Sequence, residues 1–174
     1  ALAGLLFYLT PLALAAAGYA PAAIGRAVMI YFILITCVTP LAARWSDRYR
    51  LRLSLVVVGG MIIGGGALAG WNGGVAGTLI GIVALGIGTG LSAAALQALA
   101  NEVGTADGSI GVMAATAAYR TIERIGSAIG PLLAGTLLLA GSYGSAMAAI
   151  GGVLLLGALL LWLTFGLSQM RRAG

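Results

Sequence analysis

The sequence predicts an all-α fold, a polytopic transmembrane bundle of about six helices, and three observations carry that expectation. Only 7% of the residues are charged and 61% are hydrophobic, with a mean hydropathy of +1.09, whereas a water-soluble domain carries roughly 25% charged residues to wet its surface. The 29 glycines lie among Leu, Ile, Val and Ala, the setting in which glycine lets helices approach inside a bilayer. Apolar runs near the roughly 20 residues needed to cross a hydrocarbon core of about 30 Å recur along the whole chain between short turns. Lipid is therefore the expected solvent.

The first span runs from Ala1 to about Ala17 and opens inside an apolar run, with neither an initiating Met nor a charged leader, so the expectation is a fragment cut inside its first helix. Gly18-Tyr-Ala-Pro21 is a turn, and Pro21 suits the first position of a second span reaching about Ala43. The third span covers Leu51 to Ala69 and ends at Trp71-Asn-Gly-Gly74, a turn with an interfacial tryptophan. The fourth, Val75 to about Ala100, is rich in glycine and leads into the most polar stretch of the chain, from Asn101 to Ser109. The fifth span ends at Ala140, and Gly141-Ser-Tyr-Gly144 turns it into a sixth that stops near Gln169. Hairpins this tight predict antiparallel neighbours.

Charge sets the orientation. The formal net charge of +5 is due to arginine, with neither lysine nor histidine present, and most of the arginines sit at the ends of apolar runs rather than in the continuous basic stripe of a nucleic-acid surface. Arg44, Arg48, Arg50 and Arg52 lie between the second and third spans, and Arg171 and Arg172 follow the sixth. Both places are then cytoplasmic, and the uncharged turns at Trp71 and Ser142 are external. Arg26, at the outer end of the second span, is the exception and can snorkel. Arginine without lysine, with heavy use of Ala and Gly, points to a bacterial inner membrane.

Enzyme readings fail on inventory. There is no histidine and no close pair of carboxylates, and Cys37 is the only cysteine, so neither a disulfide nor a cysteine-built metal site is expected within the chain. The glycines lie within apolar helices rather than at a strand-to-helix turn, which removes a nucleotide-binding loop and leaves no cofactor expected.

Two polar groups remain on the spans. Arg120, Glu123 and Arg124 lie near the inner boundary, since counting back about 20 residues from Ala140 at about 1.5 Å each reaches about Thr121. Arg120 and Glu123 can pair three residues apart on one face. The cluster reads as a self-paired, snorkelling boundary group, or as a cytoplasmic gate or substrate contact. A proton-coupling carboxylate should sit deeper than Glu123. On the fourth span, at about 100° per residue, Gly77, Gly81, Gly88 and Ser92 share a stripe suited to helix contact, while Gly86, Gly90, Gln97 and Asn101 share another that can line a cavity. Gln97 and Asn101 would be costly against lipid, so they should face protein or water. Tyr8 and Tyr31 are further candidates for a substrate path.

Pro40-Leu-Ala-Ala43-Arg-Trp-Ser-Asp47-Arg48-Tyr-Arg50-Leu51-Arg52 resembles the G-x-x-x-D-R-x-G-R-R loop of the major facilitator superfamily, which lies between the second and third helices of each six-helix half. Asp47, Arg48 and Arg52 match it. Ala43 and Arg50 stand where the family has glycine, and Leu51 where it has a basic residue, a degeneracy similar to that of the second-half copy. Gly126-Ser-Ala-Ile-Gly130-Pro131-Leu-Leu-Ala134-Gly135 resembles the family's G-x-x-x-G-P-x-x-G-G helix, with Ala134 the departure, and the Gly18 to Gly25 turn is also similar to the family's. The resemblance covers essentially the whole chain. It implies the carboxy-terminal half of a twelve-helix secondary transporter, residues 1–174, beginning partway through the seventh helix and partnered by a missing amino-terminal half. It also implies alternating access, a cytoplasmic latch at the Asp47 segment, and a small organic substrate, exported in exchange for protons by an antiporter. The rival expectations are a non-transporting membrane module that senses a ligand or anchors a partner, and an independent six-helix protein that assembles as a dimer.

Overall fold

The computed structural model describes residues 2–49, 52–70, 75–106 and 111–173. Among them lie six helices and no strand: α1 (Leu2–Ala16), α2 (Pro21–Tyr49), α3 (Arg52–Ala69), α4 (Val75–Ala106), α5 (Gly111–Ala140) and α6 (Tyr143–Ala173). In hydrocarbon every backbone N–H and C=O must bond within its own segment, which leaves an apolar chain of this kind the helix as its economical spanning form. Five of the helices are long and apolar enough to cross a membrane, over Pro21–Arg48, Arg52–Ala69, Ala76–Thr105, Gly111–Leu139 and Tyr143–Thr164, and α1 adds a shorter apolar helix.

The turn between α1 and α2 shows why the chain breaks there. Gly18 has φ of 81°, a left-handed conformation that suits a residue without Cβ. Its N–H bonds Ala15 O at 3.0 Å while that of Tyr19 bonds Leu14 O at 3.1 Å, the paired bonds of a Schellman stop, and the two outer residues of the motif also meet in one apolar cluster with Ala27 and Ile82. Pro21 then opens α2.

The helix α4 is the axis of the bundle, in contact with α1, α2, α3 and α5, while α6 packs chiefly on α3. The main core joins Leu6 and Leu9 of α1, Ile63 and Ala67 of α3, Leu85 of α4, and Ala146, Met147 and Ile150 of α6. The tightest seam is α3 against α4, where a Cβ on Gly88 would stand 2.5 Å from Gly59 O. Gly77 and Gly81 meet α3 in the same way, so the helix-contact stripe of α4 packs as its spacing predicts. The opposite stripe differs from expectation. A Cβ on Gly86 would stand 2.9 Å from Leu34 Cβ, and one on Gly90 2.9 Å from Val38 Cβ, so that stripe seats α2 instead of lining a cavity. Small residues on both sides of α4 let it take a neighbour on each.

Two helix ends also differ. The second span continues past Ala43 to Tyr49, which puts Asp47 in the last turn of α2 rather than in a loop. No glycine or proline interrupts residues 41–49, Ala42 and Ser46 are fully buried one turn apart, and Arg48 in the final turn complements the negative helix end. Likewise α4 runs on to Ala106, because its last turns are bonded to α5.

Candidate functional site

Four helix ends converge where the arginines of the α2–α3 junction lie, here termed the inner end: the close of α2, the start of α3, the close of α4 and the start of α5. Three successive contacts zip α4 to α5 there. Gly104 lies against Val112 and Ala115, Thr116 Oγ1 donates to Asn101 Oδ1 at 2.9 Å, and Arg120 Nη2 donates to Gln97 Oε1 at 2.5 Å. Each step of three or four residues back along α4 is matched by a similar step forward along α5, as antiparallel helices of about 3.6 residues per turn require. The amide oxygens of Gln97 and Asn101 thus accept interhelical bonds. Thr116, Arg120 and Glu123 share one face of α5 by the same period, and Arg120 Nη1 bonds Glu123 Oε2 at 2.9 Å. The Tyr119 ring centroid lies 5.7 Å from the Arg120 guanidinium carbon.

A second joint holds α3 to α4. Arg52 Nη1 bonds Glu102 Oε2 at 2.7 Å, with the arginine side chain 29% and the glutamate side chain 58% exposed. This pair borders an open cleft of about 290 Å³ lined by Asp47, Arg52, Ala98, Asn101, Glu102 and Thr105. Two carboxylates face one guanidinium across it. Asp47 is exposed and forms no hydrogen bond or ion pair with another described residue, so its carboxylate is available to an incoming donor.

The other residues singled out in the sequence lie elsewhere. Arg48 sits in the last turn of α2, and Arg124 is exposed on α5. Tyr31 joins an aromatic group with Phe7 and Phe32, at centroid distances of 4.9 and 5.1 Å, and with Phe7, Thr10 and Leu85 borders a cavity of only about 10 Å³, room for about one water. Tyr8 is exposed beside Phe7. The structure therefore separates the two tyrosines from Gln97 and Asn101. On the outer half of α5, Gly130 is buried, Gly126 half-buried and Pro131 exposed, while a Cβ on Gly135 would meet open space. Sequence reasoning missed Glu102 and Thr116. Their signal was the helical period, which carries on past Asn101 and places Thr116 one turn before Arg120. Among the described residues no three His, Cys, Asp or Glu side chains gather as a metal site would need.

The family model of the Major Facilitator Superfamily, a superfamily of membrane transporters, matches residues 1–173. No match was found among curated proteins or among solved structures. With an all-helical bundle of membrane-length spans and a family match over nearly its whole length, this multi-pass membrane chain belongs to the major facilitator superfamily.

Proposed function

We propose that the chain is the carboxy-terminal half of a secondary transporter, which carries a small organic solute by alternating access and in which the Asp47, Arg52 and Glu102 cleft is a latch at the cytoplasmic side. The observation that carries this reading is the arrangement of bonds at the inner end. Arg52 to Glu102 and Asn101 to Thr116 tie α3, α4 and α5 into one body, whereas Asp47 stands exposed at its edge. A rigid half with an uncommitted carboxylate at its edge suits a contact made in one state and broken in another. The N–H groups at a helix start of the opposing half are fitting donors, being unsatisfied and at the positive end of a helix dipole. The apolar windows of α2 and α5 are each only 6% buried, against 44% for α4, which leaves those two helices free to face the amino-terminal half across a central path. Proton-coupled efflux from a bacterial cytoplasm, as an antiporter, completes the reading.

The test exchanges the ion pair in the intact protein in proteoliposomes. An exposed pair contributes about 0.2–1 kcal/mol, and 1.4 kcal/mol is about tenfold, so Arg52→Glu or Glu102→Arg alone should slow solute flux by about 1.4- to fivefold. The double exchange should restore most of it. Flux indifferent to all three variants would remove the latch.

A further inference from the structure

We infer that Arg120, with Arg124 one turn further along α5, is an oxyanion-binding site that takes the carboxylate or phosphate of a small organic anion, which makes an anionic solute the substrate class. The inference rests on the transport reading given above.

Arg120 is held on three sides. Glu123 engages Nη1 from the same helix, Gln97 engages Nη2 from α4, and the Tyr119 ring lies beside the guanidinium. A guanidinium carries five N–H donors, so these two bonds leave three for a ligand, and the side chain is still 53% exposed. Ordering so long a side chain costs conformational entropy. Here its own neighbours have already met that cost, and a fork fixed in advance is what recognition of a planar oxyanion by two parallel bonds requires.

The charge count points the same way. Arg124 lies four residues beyond Arg120, on the same helix face, and bonds to no other described residue. Two guanidiniums and one carboxylate leave the cluster with an excess positive charge. Arginines within a membrane-spanning helix are costly without a counter-charge, and like charges one turn apart repel. An oxyanion bridging them relieves both costs; a cationic solute would add to them. Arg120 stands nine residues into α5, about 14 Å from its start, on the inner half of that helix. That level is also within reach of phospholipid phosphates, so one chemistry has two sources that must be told apart.

The experiment measures binding by calorimetry to the intact protein in nanodiscs of phosphatidylcholine. The probes are benzoate and inorganic phosphate, with benzyl alcohol as the uncharged counterpart of benzoate. The expected result is saturable binding of at least one anion, weakened at least tenfold in Arg120→Gln and about threefold in Arg124→Gln, with no Arg120-dependent binding of the alcohol. Arg120→Lys, which keeps the charge and loses the fork, should fall between wild type and Arg120→Gln, and unchanged unfolding midpoints exclude misfolding as the cause. Equal anion binding by wild type and Arg120→Gln, or no anion binding at all, overturns the proposal. A second set of discs containing phosphatidylglycerol examines the lipid source by native mass spectrometry. If that lipid is retained through Arg120 and excludes benzoate, the site belongs to a headgroup and the anionic substrate class is overturned. Because binding is read apart from flux, a protein that binds benzoate through Arg120 and moves no solute fails the transport reading alone. One that transports a cation or a neutral solute, with no Arg120-dependent anion binding, fails this inference alone.

Discussion

Two carboxylates at the inner end differ in their partners. Asp47 ends α2 exposed and unbonded to other described residues, so its replacement removes no bond within the described bundle. On the latch proposal, Asp47→Asn keeps the shape and loses the charge that would favour a helix start on an opposing half, and it should slow transport severalfold while membrane insertion and unfolding temperature stay at wild-type values. Unchanged solute kinetics in proteoliposomes would exclude a latch through Asp47. Glu123, by contrast, is committed to Arg120 on its own helix at 2.9 Å and lies half-exposed rather than isolated. Proton coupling calls for a carboxylate that gains and loses a partner with each cycle. In Glu123→Gln the dependence of transport on a pH gradient should therefore persist, and its disappearance would assign coupling to this residue.

Among the elements, α4 carries the greatest constraint because it is packed on opposite faces by small residues. A Cβ on Gly88 would meet Gly59 O at 2.5 Å, and that backbone atom has no rotamer by which to move aside. Overpacking of this kind costs about 1–3 kcal/mol, so Gly88→Ala should lower the unfolding midpoint in detergent by roughly 2–10 °C. Gly65 is the internal comparison. Nothing lies within 4 Å of a Cβ there, and alanine in mid-helix is favoured over glycine by roughly 0.5–1 kcal/mol, so Gly65→Ala should match or exceed wild type. Equal midpoints for the two variants would mean that the α3–α4 seam is looser than its geometry. The contact stripe of α4 was legible in the sequence because glycine spacing and helical period are both local properties. The pairing of Arg52 with Glu102 was not, since fifty residues separate them and only the glycine-set approach of α3 to α4 brings them together. The end of α2 was misplaced for a related reason: charged residues look like a loop until Ala42 and Ser46 are seen to be buried.

At the scale of the whole molecule, the bilayer made the fold class legible, because a chain with so few charges has little besides helices to offer hydrocarbon. Orientation carries more functional weight. Every polar joint described here lies at one end of the bundle, so the reading of Asp47 as a cytoplasmic latch holds only if that end is the inner one. The arginines at the α2–α3 junction predict that it is, and α3 runs away from that end while α4 returns to it. Thiol labelling of intact cells decides between the two orientations. Cys37 is exposed on α2, so the background must be Cys37→Ser with any cysteine outside this segment also replaced. In that background a membrane-impermeant maleimide added outside should label Asn72→Cys and leave Arg48→Cys unmodified until the membrane is opened. Labelling of Arg48→Cys from outside would turn the bundle over, and the exposed Asp47 carboxylate would then face the exterior, where the positive-inside argument that fixed its role no longer applies.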